Sequence, residues 1–356
     1  MMLLLPGQSL PTPQNAYDAQ ALDFCRRWQA GEPAFELHTS GSTGTPKPIR
    51  LTRAQMRASA QLTGRTFGLR PGDTALCCLH VGYIAGTMML VRALELGLHL
   101  TVVEPAAHPL QGVPGAFAFY AFVPLQLQAI LNETPERIPD LDAAKAILVG
   151  GAAVSPALQT ALQGLSAPVF GTYGMTETVS HVAIRRLNGP DASDAFRVLD
   201  GVRVGTDARD CLWVEGAMTD HRRVQTNDVV DLNAAAGTFR LRGRADLTIN
   251  SGGVKISLEA VERAVAQAMA EQKQEQGFLA WFLPDETLGQ RLVGVWEKET
   301  PQRIDLQKFE SSLRKYLSRY EIPKTWLCSP AFSYTSTGKI DRPTTVRRLT
   351  EIAPES

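Results

Sequence analysis

The sequence predicts an α/β protein built from a large N-terminal α/β domain, which includes a small β-rich part, and a smaller α+β domain at the C-terminus. Three observations lead to this prediction. The length of 356 residues suggests about two domains. Between residues 73 and 173, short β-branched or aromatic runs alternate with longer helical runs, which is typical of a mostly parallel sheet. After residue 197, short strands separated by Gly and Asp replace this alternation.

The elements follow from local patterns taken in chain order. Ser155 as N-cap and Pro156 at the first helical position mark one helix start clearly. In the first part we expect strands over 74–81, 98–103, 117–123, 146–149 and 168–170, and helices over 84–96, from Pro124 and from Pro156. In the β-rich part we expect strands over 198–204, 211–214, 229–232 and 238–242. The C-terminal part predicts helices over 258–270 and 306–318 and strands over 278–283 and 291–296. Turn formers over 243–253 place the boundary between domains 1–243 and 244–356.

Composition narrows the class of protein. Hydrophobic residues make up 44% and charged residues 20% of the chain, which fits a globular enzyme. The 36 basic and 36 acidic residues balance, so a dedicated nucleic-acid binder is not expected. Five cysteines without a CxxC pair predict reduced thiols and a cytoplasmic location. The N-terminus lacks the basic region of a signal peptide, and Arg92 and Glu95 interrupt the longest apolar stretch, so we expect no membrane association.

The strongest local signal is a loop rich in hydroxyl groups and glycine over residues 38–47. Glycines let consecutive N–H groups converge on an anion, and a lysine adds a point charge, so the loop suits a polyphosphate. The alternative is a flexible Ser/Gly linker. The pattern is not a Walker A loop, because Pro46 stands where its second glycine is required. The candidate phosphate-binding residues are Thr39, Ser40, Gly41, Ser42, Thr43, Gly44 and Lys47.

A second signal, over residues 171–177, follows a predicted parallel strand directly, at the end where ligands bind in open α/β sheets. Tyr173 offers a flat face for a base, Thr176 offers a hydroxyl for a phosphate, and Glu177 offers a hard oxygen for Mg²⁺. An ordinary Gly-rich turn is the competing interpretation.

Further candidates lie toward the C-terminus. Asp228 suits a pair of ribose hydroxyls, and Arg244 suits phosphate or ribose oxygens. Lys339 lies on a Gly-containing turn far along the chain. Taken singly, each of these residues is more often a solvated charge.

In this order, the segments resemble the core motifs of the acyl-adenylate-forming superfamily, which comprises acyl-CoA synthetases, peptide-synthetase adenylation domains and luciferases. The resemblance runs from the 39–47 loop, through Gly150-Gly151-Ala152 and the segment from Tyr173 to Glu177, to Lys339, and so covers nearly the whole chain. It implies that a carboxylic acid attacks Mg-ATP to give an acyl-AMP, and that a thiol, usually coenzyme A, then displaces AMP.

The resemblance also implies residue roles. The 39–47 loop would hold the β- and γ-phosphates, Thr176 would contact the α-phosphate, Glu177 would bind Mg²⁺, and Lys339 would bridge the carboxylate and the α-phosphate as a catalytic residue. Nucleotide-binding roles fall on Gly151, Ala152, Tyr173, Asp228 and Arg244. The C-terminal domain would be mobile, with a hinge at Asp246 and a thiol channel at Gly252 and Gly253.

The identity of the carboxylic acid substrate is indicated by Tyr83, Gly86 and the segment that follows them. They resemble the acid-binding region of the o-succinylbenzoate–CoA ligases of menaquinone biosynthesis, although a core aromatic is an equally good interpretation of Tyr83. The alternatives are another aryl- or acyl-acid ligase, an acyl-AMP ligase that loads a carrier protein, and a degenerate nucleotide- or partner-binding module. The expected partners are the acid, ATP and CoA, with a homodimer left open. The phosphate loop lies so near the N-terminus that we expect the family's N-terminal region to be reduced.

Overall fold

The fold is described from a computed structural model and covers residues 1–38, 48–272, 276–297, 306–334 and 340–352. The sequence-predicted loop 39–47 and Lys339 lie outside these residues. In the N-terminal part the elements are β1 (Met2–Leu4), α1 (Ala16–Gln29), β2 (Ala34–His38), β3 (Pro48–Thr52), α2 (Arg53–Phe67), β4 (Thr74–Cys77), α3 (Ile84–Leu96), β5 (His99–Val102), β6 (Phe119–Phe122), α4 (Pro124–Glu133), α5 (Ile138–Asp142), β7 (Ala146–Val149), α6 (Pro156–Ala161), β8 (Val169–Gly174) and β9 (His181–Arg186).

The later elements complete the list. They are β10 (Phe196–Val198), β11 (Arg203–Thr206), β12 (Cys211–Glu215), β13 (Val224–Asn233), β14 (Thr238–Arg244), β15 (Thr248–Ser251), β16 (Val254–Ser257), α7 (Leu258–Glu271), β17 (Phe278–Asp285), β18 (Gly289–Glu297), α8 (Leu306–Leu313), β19 (Thr325–Ser329) and α9 (Arg342–Ile352).

One large sheet organises the first two thirds of the chain. In the described residues its strand order is β1-β5-β4-β6-β7-β8-β9-β10-β14-β13-β12-β11. The run from β5 to β8 is parallel, and the flanking pairs are antiparallel. This confirms the mixed α/β fold class. The strands of the β-rich part extend this same sheet, because β9 and β10 pair directly.

The expected strand 198–204 is divided in two. Gly201 has a φ of +80°, a left-handed conformation that favours glycine, so the chain turns between β10 and β11. Two apolar cores cover the parallel strands, and their largest fully buried side chains include Tyr120, Phe119 and Met88.

A smaller sheet follows the large one. Its order is β16-β15-β18-β17, with β19 parallel to β18, and α7 and α8 pack on it through a separate apolar core. The chain leaves the large sheet after Arg244 and enters the small one at Thr248. The domain boundary at 243/244 stays a prediction. None of the helices in the described residues is long and apolar enough to cross a membrane.

The N-terminal elements α1, β2, β3 and α2 were not expected from the sequence patterns. β2 and β3 form an antiparallel hairpin that pairs Ala34 with Thr52 and His38 with Pro48, so the 39–47 loop connects its two strands. Thr52 begins α2 with a capping box to Gln55, and Gly68 ends it with a φ of +62°.

Candidate functional site

Those predicted nucleotide-binding residues that the structure describes on the parallel strands lie toward one edge of the large sheet. β4, β6, β7 and β8 are parallel neighbours. The segments that follow them, which begin at Cys78, Val123, Gly150 and Met175, therefore emerge at the same edge. Ligands bind at this edge in open α/β sheets, because side chains from several strand ends converge there.

Gly150 and Gly151 follow β7 directly, and the chain bends at Gly151. A Cβ at Gly150 would lie 2.4 Å from Thr172 Oγ1, so a side chain there would force the Thr172 hydroxyl on the neighbouring strand to move. Gly151 has a φ of +86°, and both Gly151 and Ala152 are exposed. This segment therefore presents open backbone, without bulky side chains, beside the end of β8.

Tyr173 lies on β8 and only 7% of its surface is exposed. Its ring packs edge-on against Phe239 and Phe196, at centroid distances of 5.1 and 5.9 Å. Burial raises the pKa of Tyr173, so the hydroxyl stays protonated and donates to Asp228 Oδ2 at 2.6 Å. The sequence suggested a flat face for a base, whereas most of this ring belongs to the core. Stacking on adenine stays a prediction.

Asp228, Arg244 and Asp246 form a connected set of charges at the end of the large sheet. Asp228 and Arg244 are partners across β13 and β14, and Arg244 Nη1 donates to Asp228 Oδ1 at 3.3 Å. The turn after β14 brings Asp246 back to Arg244, which donates to both of its carboxylate oxygens at 2.9 and 2.7 Å. Hydrogen bonding to Asp246 raises the pKa of Arg244. Arg244 thus links the predicted ribose carboxylate to the predicted hinge.

Thr176 and Glu177 lie on a short 3₁₀ turn after β8. Inside the turn, the Thr178 hydroxyl donates to the carbonyls of Met175 and Ser180 at 3.1 and 2.9 Å. Thr176 is half-buried and Glu177 is exposed. Val179 has a φ of +65°, a conformation that strains a β-branched residue and that recurs at functional sites. The turn holds the Glu177 carboxylate out into solvent, and β3 lies beside it.

A buried cluster of polar side chains, formed by Arg92, Thr63, Ser180 and His181, lies next to this turn. The sequence patterns did not identify this cluster. Arg92 on α3 is 3% exposed, and in the described residues it has no carboxylate partner. Its Nη2 donates to Ser180 Oγ at 2.7 Å and its Nε to Thr63 Oγ1 at 3.2 Å. Burial lowers the pKa of Arg92 to about 10. The only signal in the sequence is that Arg92, like Glu95, interrupts a mostly apolar stretch.

His181 is the fourth member of this cluster of polar side chains. Its Nε2 lies 3.4 Å from Thr63 Oγ1 and its Nδ1 lies 3.3 Å from Ser180 Oγ. Burial, with a smaller contribution from the Arg92 charge, lowers the pKa of His181 to about 3. The imidazole is therefore neutral at neutral pH, so Arg92 is the cation of the group.

Of the predicted acid-binding residues, Tyr83 is the N-cap of α3 and Gly86 lies in the first turn of that helix. Tyr83 is half-buried, and its ring lies 5.2 Å from that of His80. A Cβ at Gly86 would lie 2.5 Å from the His80 carbonyl oxygen and 2.7 Å from that of Leu79. Glycine at position 86 therefore allows α3 to start directly against the loop 79–83.

The remaining predicted residues are less completely described. Gly252 and Gly253 form the turn between β15 and β16, with φ values of +58° and +86°. Lys339 lies outside the described residues, between the bridge partners Tyr334 and Ile340. Their predicted roles, and those of the 39–47 loop, stay predictions.

Comparison with known proteins identifies the family. The family of AMP-binding enzymes matches residues 5–204. The 2-succinylbenzoate–CoA ligase of Salmonella typhimurium is 29% identical over 323 residues, which cover 85% of this chain and 66% of that protein. The corresponding ligase of Enterococcus faecalis is 30% identical over 338 residues, which cover 85% of this chain and 67% of the relative. The chain thus spans about two thirds of the length of these relatives.

Solved structures give two further likenesses. An acyl-CoA synthetase (AMP-forming)/AMP-acid ligase II-like protein from Dyadobacter fermentans is 45% identical, with a TM-score of 0.65 over 98% of this chain and 100% of that one. The O-succinylbenzoate coenzyme A synthetase from Bacillus subtilis, solved with ATP and magnesium, is 19% identical and has a TM-score of 0.71 over 87% of this chain and 69% of that one. The second likeness concerns the fold alone. The family match covers more than half of the residues of this chain, and the chain therefore belongs to the AMP-binding enzyme family.

Proposed function

We propose that the protein is an acid–CoA ligase that activates a carboxylic acid with ATP through an acyl-adenylate, and that the acid is o-succinylbenzoate. The family and the named relatives support the reaction class. The choice of acid is supported by one observation in particular, the buried Arg92 without a carboxylate partner in the described residues.

Arg92 favours an acid with two carboxylates. A buried guanidinium surrounded only by neutral groups is costly, because it has lost water without gaining an anion. Here its partners are the hydroxyls of Ser180 and Thr63 and the Met89 sulfur. An acid whose first carboxylate is activated and whose second carboxylate meets Arg92 would supply the missing anion. o-Succinylbenzoate has two carboxylates on an aryl keto acid, and Tyr83 and His80 supply aromatic surface near the start of α3.

The first half-reaction joins the acid to AMP. A carboxylate oxygen attacks the α-phosphorus of ATP, and the bond to the bridging oxygen of pyrophosphate breaks. Thr176 would contact the α-phosphate, and Lys339 would lie between the attacking carboxylate and that phosphate. Catalysis of this kind consists mostly of positioning and of neutralising phosphate charge. The connected set of Tyr173, Asp228 and Arg244 would hold the nucleoside at a fixed distance from these groups.

Glu177 is the residue that would hold Mg²⁺. An exposed carboxylate on a short turn fits this ion, which protein sites commonly bind through one or two carboxylates together with substrate phosphates and water. When bound, Mg²⁺ neutralises charge on the phosphates of ATP.

The second half-reaction transfers the acyl group. The thiol of CoA attacks the acyl carbon, AMP leaves, and the thioester forms. Rotation of the C-terminal domain at Asp246 would remove Lys339 from the site and bring Gly252 and Gly253 to the thiol. Arg244 holds both oxygens of Asp246, so the hinge position is coupled to the nucleotide side of the site.

The test measures acid-dependent pyrophosphate release with o-succinylbenzoate, followed by mass detection of the CoA thioester. The matched substrates are 4-oxo-4-phenylbutanoate and 2-butanoylbenzoate, each of which lacks one of the two carboxylates. We expect release with o-succinylbenzoate at least tenfold faster than with either analogue.

The other outcomes decide among the alternatives. Equal rates with an analogue would indicate another aryl- or acyl-acid ligase. Pyrophosphate release without a CoA product, but with acylation of a phosphopantetheine carrier, would indicate an acyl-AMP ligase. No release with any acid would contradict the ligase proposal and favour a nucleotide-binding module.

A further inference from the structure

The N-terminal helix α1 lies against the loop 79–83 that precedes α3. Tyr17, in its first turn, is 8% exposed, and its hydroxyl donates to the Leu79 carbonyl at 2.7 Å. Its ring meets the His80 ring edge-on at 6.1 Å. A Cβ built on Gly82 would lie 3.0 Å from Gln20 Nε2. Tyr17 and Gln20, which are three residues apart and so lie on the same face of α1, are therefore both close to this short loop.

The loop itself carries the contact onward to Tyr83. The Gly82 N–H donates to His80 Nδ1 at 3.1 Å, and the Tyr83 N–H donates to the His80 carbonyl at 3.1 Å. Thr87 closes the other side, since its hydroxyl donates to the carbonyls of Val81 and Tyr83 at 2.8 and 3.0 Å. Because these bonds restrain the loop, we expect a shift at its Leu79 end to move the His80 and Tyr83 rings together.

The helix is itself firmly held, so it is able to act as a support. Asn15 caps it by accepting from the Asp18 N–H at 2.7 Å. Farther along, Phe24 and Trp28 pack on Phe35 of β2, with ring centroids 4.7 and 5.4 Å apart. One helix thus joins the hairpin that carries the predicted phosphate loop to the loop that borders the predicted acid pocket.

We propose that Tyr17 is a positioning residue for acid binding: through its hydrogen bond to Leu79 it fixes the place of the His80 and Tyr83 rings, and so sets the affinity for the acid. The inference rests on the proposed function, because it takes the loop 79–83 to line the acid pocket. It gives the N-terminal helix a part in substrate recognition and not only in stability.

The first experiment uses Tyr17→Phe, which removes only the hydroxyl. Tyr120→Phe is the matched control, because Tyr120 is also buried and its hydroxyl also donates to a backbone carbonyl, that of Asp140 at 3.2 Å, away from the loop. The KM for o-succinylbenzoate, the KM for ATP, kcat and the thermal midpoint are measured for both. Since one net hydrogen bond is involved, we expect Tyr17→Phe to raise the KM for the acid about two- to tenfold and to leave the KM for ATP within twofold.

A second pair of variants perturbs the same contact from the loop side. In Gly82→Ala the new methyl group would press on Gln20 and on the His80 ring, 3.0 to 3.1 Å away. Gly164→Ala is its control, because a Cβ there would have nothing within 4 Å. We expect only Gly82→Ala to raise the KM for the acid.

The outcomes separate the two proposals. An unchanged KM for the acid in Tyr17→Phe, or an equal rise in Tyr120→Phe, would overturn the positioning role while leaving the ligase activity intact. Absence of acid-dependent pyrophosphate release from the unaltered protein would overturn the proposed function itself. In that case the affinity for o-succinylbenzoate is measured by equilibrium dialysis, once with the unaltered protein and once with Tyr17→Phe. Equal affinities of the two proteins for this acid would overturn the positioning role.

Discussion

Replacement of Arg92 by Met should separate stability from activity. Met is similar in length and apolar, so it fills the space along α3 without the charge. Arg92 is buried, and burial lowers its pKa from 12.5 to about 10. That difference corresponds to roughly 3 kcal/mol by which folding disfavours the charged form. Because the folded pKa of this base is below its unfolded pKa, the cost is present at every pH below about 10.

The replacement also removes favourable contacts. The hydrogen bonds to Ser180 and Thr63 are each worth about 1 kcal/mol net. Thr63 keeps its bond to the Ser59 carbonyl, and Ser180 keeps His181 as a neighbour, so neither hydroxyl is left without a partner. We therefore expect the free energy of unfolding of Arg92→Met to equal that of the unaltered protein or to exceed it by about 1 kcal/mol.

Activity should respond in the opposite direction. If a substrate carboxylate pairs with Arg92, removing the cation leaves that carboxylate buried and alone, which costs about 2 to 5 kcal/mol. This corresponds to a loss in kcat/KM of roughly 30-fold to several thousand-fold with o-succinylbenzoate. The analogue that lacks the paired carboxylate should lose less than about threefold.

The assay combines urea unfolding with pyrophosphate release for the diacid and both single-carboxylate analogues. A fall in unfolding free energy of 3 kcal/mol or more, with equal loss of activity toward all three acids, would refute the reasoning. It would mean that Arg92 stabilises the fold and does not bind substrate.

Three further predictions concern other parts of the site. Lys339→Ala should abolish acyl-AMP formation and spare thioester formation from supplied acyl-AMP; equal loss of both half-reactions would contradict its role. Asp228→Asn, which weakens the acceptor of the Tyr173 and Arg244 hydrogen bonds, should raise the KM for ATP about tenfold and leave the KM for the acid unchanged, as steady-state kinetics with each substrate varied will check. Burial lowers the pKa of His181 from 6.5 to about 3. As the pH falls below about 6.5, His181 is therefore protonated in the unfolded chain but not in the folded protein, and the free energy of unfolding decreases. Between pH 7 and 4.5 the unaltered protein should therefore lose about 2 to 3 kcal/mol more unfolding free energy than His181→Gln, and equal losses in urea titrations would disprove this.

Local patterns in the sequence were sufficient for much of the fold. The alternation of strands and helices between residues 73 and 173 predicted the parallel part of the sheet, because buried parallel strands are short apolar runs and their crossovers are helices. Ser155 and Pro156 marked the start of α6 correctly. Boundaries were less accurate where a turn interrupts a favourable run, as at Gly201, since strand propensity continues through the glycine but hydrogen bonding does not.

The N-terminal third shows where such patterns fail. The strands β2 and β3 contain charged residues, and nine residues separate them along the chain, whereas the sequence signal for a hairpin is a connection of about two to five residues. Tyr17 has no distinctive sequence context, and the role proposed for it depends on a hydrogen bond to a residue 62 positions away.

The sequence alone determined the reaction class expected of this protein, because groups such as Glu177, Asp228 and Lys339 occur in a characteristic order along the chain. The tertiary structure decided which of the described groups meet. It joined Tyr173 to Asp228 and Arg244 to Asp246, and it enclosed Arg92 among neutral partners. Order along a chain depends on residue identity alone, whereas burial and pairing depend on contacts between segments that are distant in sequence. The pKa values arise from those contacts, and so does the affinity for a second carboxylate that we propose for Arg92.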